Sequence, residues 1–141
     1  MANALYANYK NLIIGSSSAA HTFVDFDTDN INAALIDTGT YTVNLATHQD
    51  HADLSGIVGT VQQLASVTAG VVAAGTVDAA DRTFTAVSGS SIEAYVIYKN
   101  SGTSNTSPLV AYFDTASSGL PVTPNGGDIT IAFNASGIIA F

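Results

Sequence analysis

The sequence predicts an all-β domain, a sandwich or barrel of about eight short strands preceded by one short helix. Three observations carry this. After GSSSAA the chain becomes a succession of short runs rich in Val, Ile, Thr, Tyr and Phe, separated by Gly, Ser, Asn and Asp, which is the signature of strands joined by turns. Helical spacing of apolar residues appears only in the first fifteen residues. At 141 residues the chain has the length of one ordinary domain, and no repeat or composition break marks a second. The organisation expected is a single β-rich unit over 1–141, with 1–15 as a helical arm or cap and 16–141 as the sandwich.

Taking the elements in order, Leu5, Tyr9, Leu12 and Ile13 fall at i, i+4, i+7 and i+8, with Asn3 placed to cap the start and Gly15 to end it, a helical stripe with start and stop signals. An amphipathic helix closing its own core is the plainer reading; an arm docking into a neighbouring subunit is the other. The strands expected are Ile31–Ile36, Val61–Val67, Val71–Val77, Arg82–Val87, Ile92–Tyr98, Leu109–Asp114, Asp128–Phe133 and Ile138–Phe141. Alternation places Phe84 opposite Thr83 and Thr85, and puts Ile129, Ile131 and Phe133 on one face, so those faces form core. AYVIY at 94–98 is apolar on both sides, as expected of a central strand or one covered by a partner chain. The polar run KNSGTSNTS, Lys99 to Ser107, reads as a hairpin loop, and equally suits an exposed contact loop.

Composition bounds the function. Apolar residues make up 47% of the chain while Asp, Glu, Lys and Arg together make only 10%, against about 25% in a typical soluble chain. A surface so poor in charge, with a mean hydropathy of +0.30, leaves apolar patches of the kind that other chains cover. Ten Asp and Glu93 face only Lys10, Arg82 and Lys99, a net charge of −8. Nucleic-acid backbones are gripped by Lys and Arg that release condensed counterions, so no nucleic-acid partner is expected. There is no cysteine, hence neither a disulfide framework nor a thiolate metal site. The segment MANALYANYKNLIIG lacks a basic n-region and a continuous apolar h-region, and no run approaches a bilayer span; no membrane partner is expected.

The chemistry-bearing motifs are few. THQDHAD, Thr47 to Asp53, offers His48, Asp50 and His51 as the one metal-like grouping. The metalloprotease pattern needs two histidines four apart on a helix with a glutamate base, and a bound ion needs a third and fourth ligand that nothing supplies. No metal and no cofactor is expected. DFDTDN, Asp25 to Asn30, copies the first half of a calcium loop, but its sixth position is Asn30 and its twelfth is Ile36, which cannot coordinate; a solvated acidic turn is the plainer reading. No G-x-S-x-G elbow, P-loop, dinucleotide fingerprint or paired carboxylates occur, so the chain is not expected to be an enzyme.

In the carboxy-terminal half, VIYK at Val96–Lys99, SPL at Ser107–Leu109, the strand Val110–Asp114, GLPVTPNGGDITI at Gly119–Ile131 and N-x-x-G-I at Asn134–Ile138 together resemble a family of small virion structural proteins of tailed bacteriophages. A looser match runs from Asp29 to Tyr41 and on to Thr47-His48, and the matched segments cover rather more than half the chain. The resemblance implies a capsid decoration (cement) protein, made in the host cytoplasm and located on the capsid exterior of the virion. Its partners would be the phage major capsid protein and other copies of itself, as a homo-oligomer, by analogy a trimer. On that reading Leu5, Tyr6 and Tyr9, with Lys99, Asn100 and Asn105 in the Lys99–Ser107 loop, are the residues expected to touch partners. The alternatives are a tail or fibre recognition module binding a glycan through that loop and Tyr95, Tyr98, Tyr112 and Phe113, or a tail-tube or head-completion subunit.

Overall fold

A computed structural model describes residues 3–15 and 21–141. Ten strands and one α-helix are assigned: β1 (Ala4–Leu5), α1 (Ala7–Ile13), β2 (Ile31–Ile36), β3 (Ile57–Gln63), β4 (Thr68–Ala69), β5 (Thr76–Asp78), β6 (Arg82–Phe84), β7 (Ala94–Lys99), β8 (Leu109–Phe113), β9 (Ile129–Ile131) and β10 (Ile139–Ala140). All pairings are antiparallel. The main sheet runs β1-β8-β7-β2-β3; β10-β5-β4 and β6-β9 form two smaller sheets. The all-β class with a short amino-terminal helix is therefore what the chain adopts. No helix among the described residues is long and apolar enough to cross a membrane.

Strands β2 and β7 are apolar at nearly every position because both faces of the main sheet are covered, the pattern of a central strand. Their pairing matches Ala33 with Ile97 and Leu35 with Tyr95 on one face, and Ala34 with Val96 and Ile36 with Ala94 on the other. The first face packs against α1 and the small sheets, joining Tyr9, Phe84, Ile131 and Ile139 in one core. The second is closed mainly by the segment between β2 and β3, through Tyr41, Val43, Leu45 and Leu54. The chain itself covers β7 on both sides.

The opening residues depart from the expected helix. Asn3 does not cap α1; its side-chain carbonyl accepts from the amides of Asp114 (3.0 Å) and Thr115 (3.3 Å), which fastens β1 to the end of β8. Ala4 and Leu5 are strand, opposite Tyr112 and Ala111, and the first helical amide, Ala7 N–H, is satisfied by the Leu45 carbonyl at 2.8 Å. Tyr9 and Leu12 are the buried helical residues. Gly15, at φ 88°, ends the helix as expected, its amide reaching the Leu12 carbonyl at 3.2 Å; the left-handed conformation suits glycine.

Two expected strands move. The second, Val61–Val67, lies instead at Ile57–Gln63, because it pairs along β2 from Ile36 back to Asn32 and runs out of partner there; Ser66, at a positive φ of 53°, lies beyond its end. Val71–Val77 is not one strand: Gly70 (φ 71°) and Gly75 (φ 75°) bound a turn between β4 and β5. The Thr76 hydroxyl closes that turn by donating to the Ala73 carbonyl at 2.6 Å. In the GLPVTPNGG stretch, Gly119 (φ 100°) passes so close to β9 that a Cβ would lie 2.4 Å from the Thr130 carbonyl oxygen, so this position admits no side chain.

Candidate interaction surface

Six large apolar side chains are exposed among the described residues: Ile13 (42%), Ile14 (80%), Phe23 (62%), Val71 (74%), Val72 (45%) and Phe141 (58%). Scattered exposed apolar residues need no explanation, but a contiguous patch does. Three of the six come together. Ile13, Phe23 and Phe141 line a groove of about 250 Å³ together with Tyr9, Phe26 and Val77, and the glycines that bound the Val71–Val72 turn line it too. The groove wall is almost wholly apolar.

Local structure explains how these side chains reach the surface. Tyr9 and Ile13 share a helical face one turn apart, so Tyr9 forms the groove floor while Ile13 stands at its lip. The Tyr9 ring meets Phe26 edge-on, at a centroid separation of 6.2 Å, and the terminal Phe141 at 6.1 Å. Phe141 is held there by its amide, which donates to the Gly75 carbonyl at 2.8 Å. Burial raises the Tyr9 phenol above its ordinary value, so it stays neutral beneath the groove.

The predicted partner-contact residues fall elsewhere. Tyr6 and Tyr9 are buried in the chain's own core, a correction to the expectation that they form an exposed patch, and Leu5 packs half-buried against that core. The helical face is spent on intramolecular packing. Lys99 is engaged as well: its ammonium reaches Asp29 (2.9 Å), the Thr22 hydroxyl (3.0 Å) and the Phe23 carbonyl (3.0 Å). Asn100 and Asn105 are exposed. Their loop is folded on itself, however: Ser101 Oγ meets Thr106 and Ser107, the Ser107 hydroxyl donates to Thr103, and Asn100 accepts from the Gly102 amide. Tyr95, Tyr98, Tyr112 and Phe113 are all buried, with Tyr95 stacked on Phe113 at 4.7 Å; the side chains counted toward a glycan platform belong to the core.

The three metal-like residues do not converge. His48 Nδ1 lies 2.7 Å from the Tyr41 hydroxyl, which lies 3.0 Å from that of Tyr6. Because the Asn44 amide also donates to Nδ1, at 3.3 Å, that nitrogen is an acceptor and the imidazole proton sits on Nε2. Asp50 pairs with Nε2 of His21. His51 packs its ring on Tyr98 at 4.7 Å, and burial lowers its pKa from the ordinary 6.5. Asp53 is turned back onto its own backbone, accepting from the amides of Gln49 (2.7 Å) and Asp50 (3.0 Å); burial alone would raise its pKa, but these bonds and the nearby histidines outweigh it and lower it. No group of three or more His, Asp or Glu side chains among the described residues has metal-holding geometry. The segment instead anchors the second face of the sheet, and Leu109 N–H on Gln49 O (2.8 Å) and His51 N–H on Ser107 O (2.9 Å) tie it to the start of β8.

The Asp25–Asn30 stretch is likewise a closed turn. The Asp25 carboxylate accepts the Asp27 amide, and Asp29 accepts the Asp25 amide and the Lys99 ammonium. No family model matches the chain, and no curated protein matches it.

The groove was missed from sequence because its parts are far apart. A signal was nonetheless present: Phe23 stands among polar and acidic residues in HTFVDFD, and Val71-Val72 is flanked by Gly and Ala. Neither belongs to an alternating run.

Proposed function

We propose that this chain is a structural subunit of a virion, a head decoration (cement) protein that binds the outer surface of the capsid lattice and bridges major capsid subunits. The observation that carries the reading is an apolar groove edged by the exposed side chains of Ile13, Phe23 and Phe141 on a chain with few charges, the kind of surface that other chains cover. The resemblance of Glu93–Phe141 to phage virion proteins supplies the particular assembly. A net charge of −8 suits a subunit kept outside packaged DNA.

Mechanistically, a subunit that binds the expanded lattice and not its precursor lowers the free energy of that lattice by its own binding free energy. Many modest contacts then add through multivalency. The experiment is the copy number of the chain in purified virions of the encoding phage, by quantitative mass spectrometry against the major capsid protein. A ratio comparable to the capsid subunit is expected; a few copies per particle would move the chain to the tail or fibre, and absence would end the virion reading.

A further inference from the structure

We infer that Asn125 is a site of spontaneous covalent modification, held in reserve by the hydrogen bonds around Gly126. The inference stands apart from the capsid reading. Asn125 is the only asparagine in the chain that is followed by glycine. In such a pair the next amide nitrogen approaches the side-chain carbonyl carbon with no Cβ in its way. Asn125, Gly126 and Gly127 are all exposed, so water reaches the site. Asn125 Oδ1 accepts from the Gly127 amide at 2.9 Å; this closed turn holds the carboxamide over the backbone that attacks it and draws electron density from its carbon.

The reaction consumes only water. The Gly126 nitrogen gives up its proton to solvent and forms a bond to Asn125 Cγ; the bond from Cγ to Nδ2 breaks, and Nδ2 leaves as ammonia. Water then opens the five-membered imide, at one carbonyl to give aspartate and at the other to give isoaspartate, whose main chain runs through Cβ and Cγ. One water enters, one ammonia leaves, and nothing is oxidised or reduced.

The fold opposes the first step. The Gly126 N–H that must be surrendered donates to the Val87 carbonyl at 2.8 Å, and Val87 N–H donates back to the Gly127 carbonyl at 2.9 Å. Val87 is fixed by its side chain, which is buried in the core. Asp128 braces the clamp by accepting the Ala86 amide at 3.0 Å. Attack therefore waits for local opening. The clamp lies just beyond the paired strands β6 and β9. Isoaspartate adds one main-chain carbon there and puts the two bonds out of register, and either product adds a carboxylate near Asp128 to a chain of net charge −8.

Peptide-resolved mass spectrometry of the full chain, aged in mildly alkaline buffer, tests this alongside hydrogen exchange of the Gly126 amide. Conversion is expected at Asn125 ahead of every other asparagine, and at least about tenfold slower in the folded chain than in guanidinium. Exchange and attack need the same opening, so that ratio should match the protection of the Gly126 amide. Asp128→Ala, which removes the brace at an exposed position, should speed both by the same factor; the wild-type ratio is decisive whether or not this variant folds. An Asn125 that stays intact in the unfolded chain, or converts as fast folded as unfolded, would overturn the inference. So would conversion that outruns opening at Gly126, since the clamp would then hold nothing in reserve.

Discussion

The two faces of the main sheet are closed by different means. On one, Leu35, Ile97 and Tyr95 of β2 and β7 meet Phe84, Ile131 and Phe133 from the smaller sheets, a dry layer of apolar contacts between strands. On the other, irregular chain between β2 and β3 lies over Ala34, Val96 and Tyr98. There the buried hydroxyls of Tyr6 and Tyr41 and the half-buried imidazole of His48 form a line of hydrogen bonds. A loop seals a sheet face only when its polar groups find partners, because an unpaired buried donor or acceptor costs as much as the hydrogen bond it forgoes. The difference assigns THQDHAD its role, which is architecture: His48, Asp50 and Asp53 supply hydrogen bonds to the loop that takes the place of a second layer, and His51 packs its ring on Tyr98.

The dry face should be the more sensitive to lost volume. Ile97→Ala, at a fully buried position opposite Ala33, is expected to cost about 2–5 kcal/mol through lost transfer energy and a residual cavity, measured by urea unfolding. A cost below that of the polar changes on the other face would invert the comparison.

On the hydrogen-bonded face, Tyr41→Phe removes one hydroxyl and leaves the buried Tyr6 hydroxyl and His48 Nδ1 each short of a partner. About 1–3 kcal/mol is expected. Replacing both tyrosines by Phe should cost less than the sum of the single changes, which a double-mutant cycle would show; strict additivity would mean that the line does not act as a unit.

The same face should respond to acid. Burial depresses the His51 pKa below 6.5, so the unfolded chain takes up a proton at a pH where the folded chain does not. The contribution is complete above pH 6.5 and is lost as pH falls from there through the folded pKa. His51→Phe, which keeps the ring against Tyr98 and cannot titrate, should flatten that part of the stability–pH profile. Loss at lower pH should remain in the variant, since Glu93, held low first by the Ser91 hydroxyl and also by Thr38, and Asp37, held low by the Gly39 amide, titrate there. An unchanged slope near pH 6 would place the acid sensitivity outside His51.

The smallest effect belongs outside both faces. Asn105, exposed at the tip of the Lys99–Ser107 loop, should change stability by less than about 0.5 kcal/mol when replaced by Ala. A larger loss would show the loop to be a bracing element.

Much of the architecture was legible because strand signals here are local. Ile31–Ile36 matches β2 residue for residue, and Phe84, Ile129, Ile131 and Phe133 lie on buried faces as their alternation implies. What misled was also local. Val71-Val72 reads as strand by β-propensity, yet the positive φ of Gly70 and Gly75 makes it a turn. Leu5 fits a helical period that begins only after Tyr6, because pairing with β8 outweighs the helical preference of so short a segment.

By itself the sequence determined the fold class, the poverty of charge, the strand that both layers of core enclose, and the absence of thiolate chemistry. Those properties follow from which residues are present and from their spacing along a few consecutive positions. Tertiary structure alone decided that Tyr6 and Tyr9 face inward, that His48, Asp50 and His51 turn to three different partners, and that Ile13, Phe23 and Phe141 share one groove. The physical reason is distance along the chain. Residues more than a hundred positions apart become neighbours only when sheet pairing and the closing of each face bring them together, and no local pattern encodes that proximity.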